Sequence, residues 1–96
     1  MATVDDLTID FKEDDILIVK QLDKEVLSKG AWTTIVFKYQ QWDRKNEKYG
    51  DDKYTIRRYQ KKGEVYSPRS KFNISSKDQA KKIIDVLQKW TQESGE

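Results

Sequence analysis

The sequence predicts an α+β domain, a curved four-stranded antiparallel sheet followed by one C-terminal helix. Three observations carry this. Four runs rich in β-branched and aromatic residues are separated by turn-forming residues. The links between them are short, which favours antiparallel pairing. From Ser76 onward the apolar spacing changes from alternation to a helical period. At 96 residues the chain makes one domain with a thin core, since 35% of its residues are hydrophobic and 38% charged.

Residues 1–15 read as an acidic N-terminal arm in which Leu7, Ile9 and Phe11 alternate as a short strand. The main domain spans residues 16–92. Its first strand is ILIVKQLDKEVLS, irregular near Asp23 and closed by the Lys29-Gly30 turn. The second, AWTTIVFKYQQW, is the clearest strand signal, unbroken in β-branched and aromatic residues. The polar, aperiodic stretch 43–52 reads as a loop. KYTIRRYQ is the third strand, KKGE a hairpin turn on Gly63, and VYSPRSKFNI the fourth strand. Pro68 lacks an N–H for a ladder, so the fourth strand is an edge or carries a bulge.

Ser76 with Gln79 three residues on fits a capping box, and Asp78 in the first turn complements the helix dipole. Ala80, Ile83, Ile84, Leu87 and Trp90 form one stripe, widened by Val86. The stripe is broad for covering a small sheet, so Ile83, Leu87 and Trp90 are candidate contacts with a second copy of the chain. Residues 93–96 form a polar tail.

The chain has neither cysteine nor histidine. That removes disulfides, thiolate zinc sites, cysteine nucleophiles, the usual zinc nitrogen ligand and every triad relayed through imidazole. The expectation is a protein that is not an enzyme and takes no cofactor, metal or small-molecule substrate. No stretch approaches the roughly 20 apolar residues of a membrane helix, and the start lacks the pattern of a signal peptide. A cytoplasmic location follows as an expectation, nucleoid-associated in a bacterium or nuclear in a eukaryote.

Net charge is +2, but it is unevenly placed. Residues 1–15 hold six acids against Lys12, a balance of −5, whereas residues 29–71 hold twelve bases against five acids, a balance of +7. A polyanion is the natural partner of the middle segment. If Phe37, Ile56 and Phe72 face the helix, the opposite side collects Lys38, Trp42, Lys53, Arg57, Tyr59, Arg69 and Lys71. Cations that track phosphates and rings that stack unpaired bases are the parts of a single-strand binder. The acidic arm is expected to lie in this groove and compete with phosphate. The alternative reading is a protein-interaction module using the sheet edge or the helix stripe.

The stretch YTIRRYQKKGEVYSPRSKFNISSKDQAKKII resembles the positive cofactor four family of transcriptional coactivators and its bacterial relatives. Ile56-Arg57-Arg58-Tyr59, Gly63-Glu64, Lys71 and Ile74-Ser75 follow the family pattern, and the resemblance covers about residues 25–90. It implies a homodimer of four-strand-plus-helix subunits, joined through the helices, whose curved sheets form channels for single-stranded DNA; RNA is the other single strand that the cation-and-ring face suits. Arg57 and Lys71 take the family's binding positions, Lys38 a basic position on the second strand, and Trp42 an aromatic one once a single residue is inserted. Where the eukaryotic pattern has a stacking tryptophan this chain has Gln60, which leaves stacking to Tyr59 or Trp42. The 43–52 loop is longer than the family's.

Overall fold

The computed structural model describes residues 3–93; residues 1–2 and 94–96, most of the expected tail, lie outside it. Its architecture is α+β, a curled antiparallel sheet with one C-terminal helix. The strands are β1 (Phe11–Glu13), β2 (Ile16–Ser28), β3 (Trp32–Asp43), β4 (Lys48–Tyr49), β5 (Lys53–Lys62) and β6 (Val65–Ile74), followed by helix α1 (Lys77–Glu93). The sheet runs β1-β2-β3-β5-β6, with β4 paired to the far end of β3. Two short strands thus add to the expected four, and the short strand expected over Leu7, Ile9 and Phe11 is absent at residues 7–10, where the chain packs by its apolar side chains and β1 begins only at Phe11. β1 is held by a two-residue turn in which Asp14 and Asp15 both adopt positive φ, 51° and 66°, matching the twist of the flanking strands. β4 arises inside the 43–52 loop.

Register decides which residues share a face. Thr33, Ile35, Phe37 and Tyr39 of β3 stand opposite Tyr59, Arg57, Thr55 and Lys53 of β5. Val26, Lys24, Gln21 and Val19 of β2 join them, as do Asn73, Lys71 and Tyr66 of β6. This is the front face. Trp32, Thr34, Val36 and Lys38 share the back face with Arg58, Ile56, Tyr54, Phe72 and Ile74.

The core lies on the front. Ile35, Phe37, Tyr39 and Tyr59 are buried there together with Val4 and Ile9 of the N-terminal segment, and Leu7, Val19, Val26 and Tyr66 pack around them. A single 3-10 turn, Val4–Asp6, turns Val4 inward while Asp5 and Asp6 stay exposed. Lys24 Nζ fixes this turn by donating to the carbonyls of Val4, Asp5 and Leu7 at 3.0, 3.1 and 2.8 Å. The Gln21 side-chain oxygen accepts from Thr8 Oγ1 (2.8 Å) and the Ile9 N–H (3.2 Å). Residues 3–10 are therefore seated in the core, and their hydrogen bonds to the sheet run to β2.

The exposed edges of the sheet, β2 beyond its short pairing with β1 and β6 on the other side, are both irregular. β2 bulges between Gln21 and Asp23 and again between Val26 and Ser28. Side-chain oxygens of Asp10 and Asp23 occupy the N–H groups of Gln21 (2.7 Å) and Lys24 (2.8 Å). β6 carries Pro68 and a register shift beside it. Bulges, proline and filled N–H groups all discourage addition of another strand.

Ser76 Oγ accepts the Gln79 N–H at 3.1 Å, as expected, while Gln79 Oε1 accepts the Ser75 N–H at 3.0 Å, so only the return bond of the capping box is displaced by one residue. The helix continues through Glu93, past the expected boundary at residue 92. It does not lie across the sheet as expected; it meets the sheet mainly at β6, the strand it follows. Ile84, Leu87 and Trp90 are 57%, 53% and 62% exposed, and on the back face Phe72 is 53% exposed. No helix among the described residues is long and apolar enough to cross a membrane.

Candidate nucleic-acid interface

Every second residue of β5 reaches the front face, which places Lys53, Arg57 and Lys61 in one row about 13 Å apart. Lys71 of β6 stands opposite Arg57, and Tyr66 opposite Lys61 with the ammonium 5.6 Å from the ring centroid. Fully buried Thr55 organises the middle of the row. Its hydroxyl donates to Asn73 Oδ1 at 2.8 Å and accepts from Arg57 Nε at 3.3 Å, fixing the base of the guanidinium and leaving its outer N–H groups to point onward. The described ion pairs are Lys38–Asp52 and Arg44–Glu13, so among the described residues Lys53, Arg57, Lys61 and Lys71 have no carboxylate partner.

Lys53, Arg57, Tyr59 and Lys71 therefore share the front face, as the strand pattern predicts for them. Lys38, Trp42 and Arg69 do not join them. The strand pattern groups Phe37 with Ile56 and Phe72, but its partner across the sheet is Thr55, and Val36 is the residue opposite Ile56. Lys38 thus falls on the back, 3.5 Å from Asp52, whose carboxylate also accepts from Gln40 at 2.9 Å. Arg69 is the extra residue at the β6 register shift and donates to Gln60 Oε1 (3.1 Å) on the back face. Trp42 packs edge-on against Tyr49 of β4, ring centroids 5.0 Å apart.

Tyr59 faces front but is only 5% exposed and belongs to the core, which removes it as a stacking platform. Burial pushes its phenol above the ordinary tyrosine range, and the Arg57 charge opposes that shift. The ring beside the cations is that of half-buried Tyr66. Sequence reasoning missed Lys61 and Tyr66. Lys61 falls within a strong turn signal, although β5 continues to Lys62; the alternation that would place Tyr66 is broken by the shift near Pro68.

The acidic arm does not lie over this row. Its apolar residues occupy the β2 and β3 half of the front face instead. Together the row offers cations at regular intervals, one half-buried ring and amide groups, an arrangement that suits a phosphate backbone with unpaired bases. No family model, curated protein or solved structure matches the chain.

Proposed function

We propose that this chain is a non-enzymatic binder of single-stranded DNA or RNA, acting in transcription, replication or repair, in the manner of the positive cofactor four family. The observation that carries the reading is the row Lys53, Arg57, Lys61 and Lys71, whose cations lack carboxylate partners among the described residues on the open half of the front face. Lysine and arginine held at an exposed surface without counter-charges favour a polyanion. Tyr66 beside Lys61 adds a ring for an unpaired base.

The active unit is a homodimer in this proposal. Exposed Leu87 and Trp90, with half-buried Ile83, supply an apolar helix surface that a second copy would cover. The same surface favours a protein-interaction module as the second reading. That module would use the helix, since the bulges, Pro68 and the filled N–H groups discourage strand addition at the edges.

Fluorescence anisotropy with labelled oligo-dT and with duplex of the same length, each at two salt concentrations, tests the reading. The expected result is tighter binding to the single strand, with an affinity slope of about −0.7 per phosphate neutralised. Absence of binding at low salt, or equal affinity for duplex, rejects it.

A further inference from the structure

β3 runs four residues past its last pairing with β5, and the corner this leaves is walled by a hairpin. The hairpin is heavily pinned. Asp43 Oδ1 accepts the N–H groups of Lys45 (3.0 Å) and Asn46 (3.2 Å), while Oδ2 accepts Asn46 Nδ2 at 2.7 Å. Those bonds draw the Asp43 carboxyl below the usual range and turn its charge back onto the hairpin's own donors. Tyr49 donates its hydroxyl to the Leu17 carbonyl at 2.9 Å, holds the Trp42 ring edge-on, and receives the Lys20 ammonium 4.9 Å from its own ring centroid. The Gly50 N–H returns to the Gln41 carbonyl at 3.0 Å. Arg44 is committed to Glu13. Lys45 is then an exposed cation of the hairpin with no ion-pair partner among the described residues.

Between this hairpin and the start of β5 lies an open pocket of about 540 Å³, bounded by Gln41, Trp42, Lys45, Gly50 and Lys53 among others. Its volume falls in the range of small-ligand sites. Lys53 belongs both to the pocket and to the front-face row, while Trp42, which falls on the other face of β3, borders the pocket where β3 runs beyond β5. Lys53 Nζ is steered toward the pocket by a 2.9 Å bond to Gln41 Oε1.

We infer that this corner is a separate subsite for one unpaired nucleotide, at the end of the track along β5. Trp42 gives the base an apolar wall, the Gln41 amide gives it a hydrogen-bonding group, and Lys45 and Lys53 flank the position of its phosphate. The track holds the body of the strand, and the corner holds the nucleotide that leaves the sheet. The inference rests on the proposed single-strand binding.

An oligo-dT ladder, lengthened one nucleotide at a time and read by anisotropy, separates the two. With the unaltered protein, affinity climbs with length and shows a final step when the corner is filled. Trp42→Ala removes that step, a loss of about five- to a hundred-fold for the longer strands, as expected for one stacked base, and leaves the shorter strands unchanged. Lys45→Glu, at an exposed hairpin position, lowers the same step and reduces the salt slope for long strands by about 0.7. Thermal melts accompany both variants, and if Trp42→Ala fails to fold, Lys45→Glu decides. The inference is overturned if the deciding variants follow the unaltered ladder at every length, or weaken short and long strands alike. Should the unaltered protein bind no member of the ladder, the single-strand reading itself fails and the subsite falls with it.

Discussion

The two halves of the front face are built on one sheet and meet opposite fates. Over β2 and β3, Ile35 and Phe37 are fully buried because Val4, Leu7 and Ile9 close over them. Over β5 and β6 the equivalent level is occupied by Thr55, Arg57 and Lys71, whose polar groups bond one another or face outward. The difference shows how a short chain divides a surface: its few spare apolar residues seal one half, and the half they do not reach carries the cations. Tyr59 lies on the seam, its ring in the core and Arg57 beside it.

If the halves are separate, damage to one should leave the other working. The largest effect is expected from Ile9→Ala, which opens a cavity under the sealed half and costs about 2–5 kcal/mol by denaturant unfolding. Under folding conditions its affinity for oligo-dT should match the unaltered protein; a parallel decline in binding would merge the halves. Lys24→Met leaves three carbonyls without their shared donor and should cost about 1.5–3 kcal/mol, again with binding retained.

The open half should behave in the reverse way. Arg57→Gln and Lys71→Gln are expected to shift stability by no more than about 0.5 kcal/mol. Each should flatten the dependence of affinity on salt by about 0.7 for every phosphate it no longer neutralises. A stability loss as large as that of Ile9→Ala would show that the row holds the sheet together.

The smallest effect probes the seam. Tyr59 holds its proton to higher pH in the folded state than an unfolded tyrosine, whose pKa is about 10. Its contribution to stability is therefore complete below the unfolded value and declines as pH rises through the folded one. Ultraviolet difference titration should show a late phenol that Tyr59→Phe abolishes. Arg57→Gln should delay that phenol further, since the guanidinium favours the phenolate; an earlier ionisation would contradict the Arg57–Tyr59 interaction.

Much of the fold was legible in local pattern. The bounds of β2 and β6, the irregularity near Asp23, the edge character marked by Pro68 and the start of the helix at Ser76 follow from residue type and turn chemistry. The candidate site was legible on β5 and across its tight hairpin to Lys71 of β6, but not across the longer link to β3. Arg57 and Lys53 share a face because they lie four apart on β5, but Lys38 sits on another strand, and its side depends on register across residues 43–52. That stretch reads as a polar loop, whereas Asp43 and the Trp42–Tyr49 pair fold it into a hairpin. A register error of one residue reverses a whole face, which is how Phe37 comes to be grouped with Ile56. The seat of Val4 and Ile9 depends on packing across the sheet that no local period encodes.

The strand order has a consequence for how the chain acquires its shape. Apart from the small β4 hairpin, each strand pairs with its neighbour in sequence. Each closure spans a short loop with a small entropic cost, so the sheet can assemble as successive hairpins. Residues 3–10 are the exception. Although they precede the strands along the chain, their seat exists only after β2 and β3 have paired, so they find their place later than the strands that follow them.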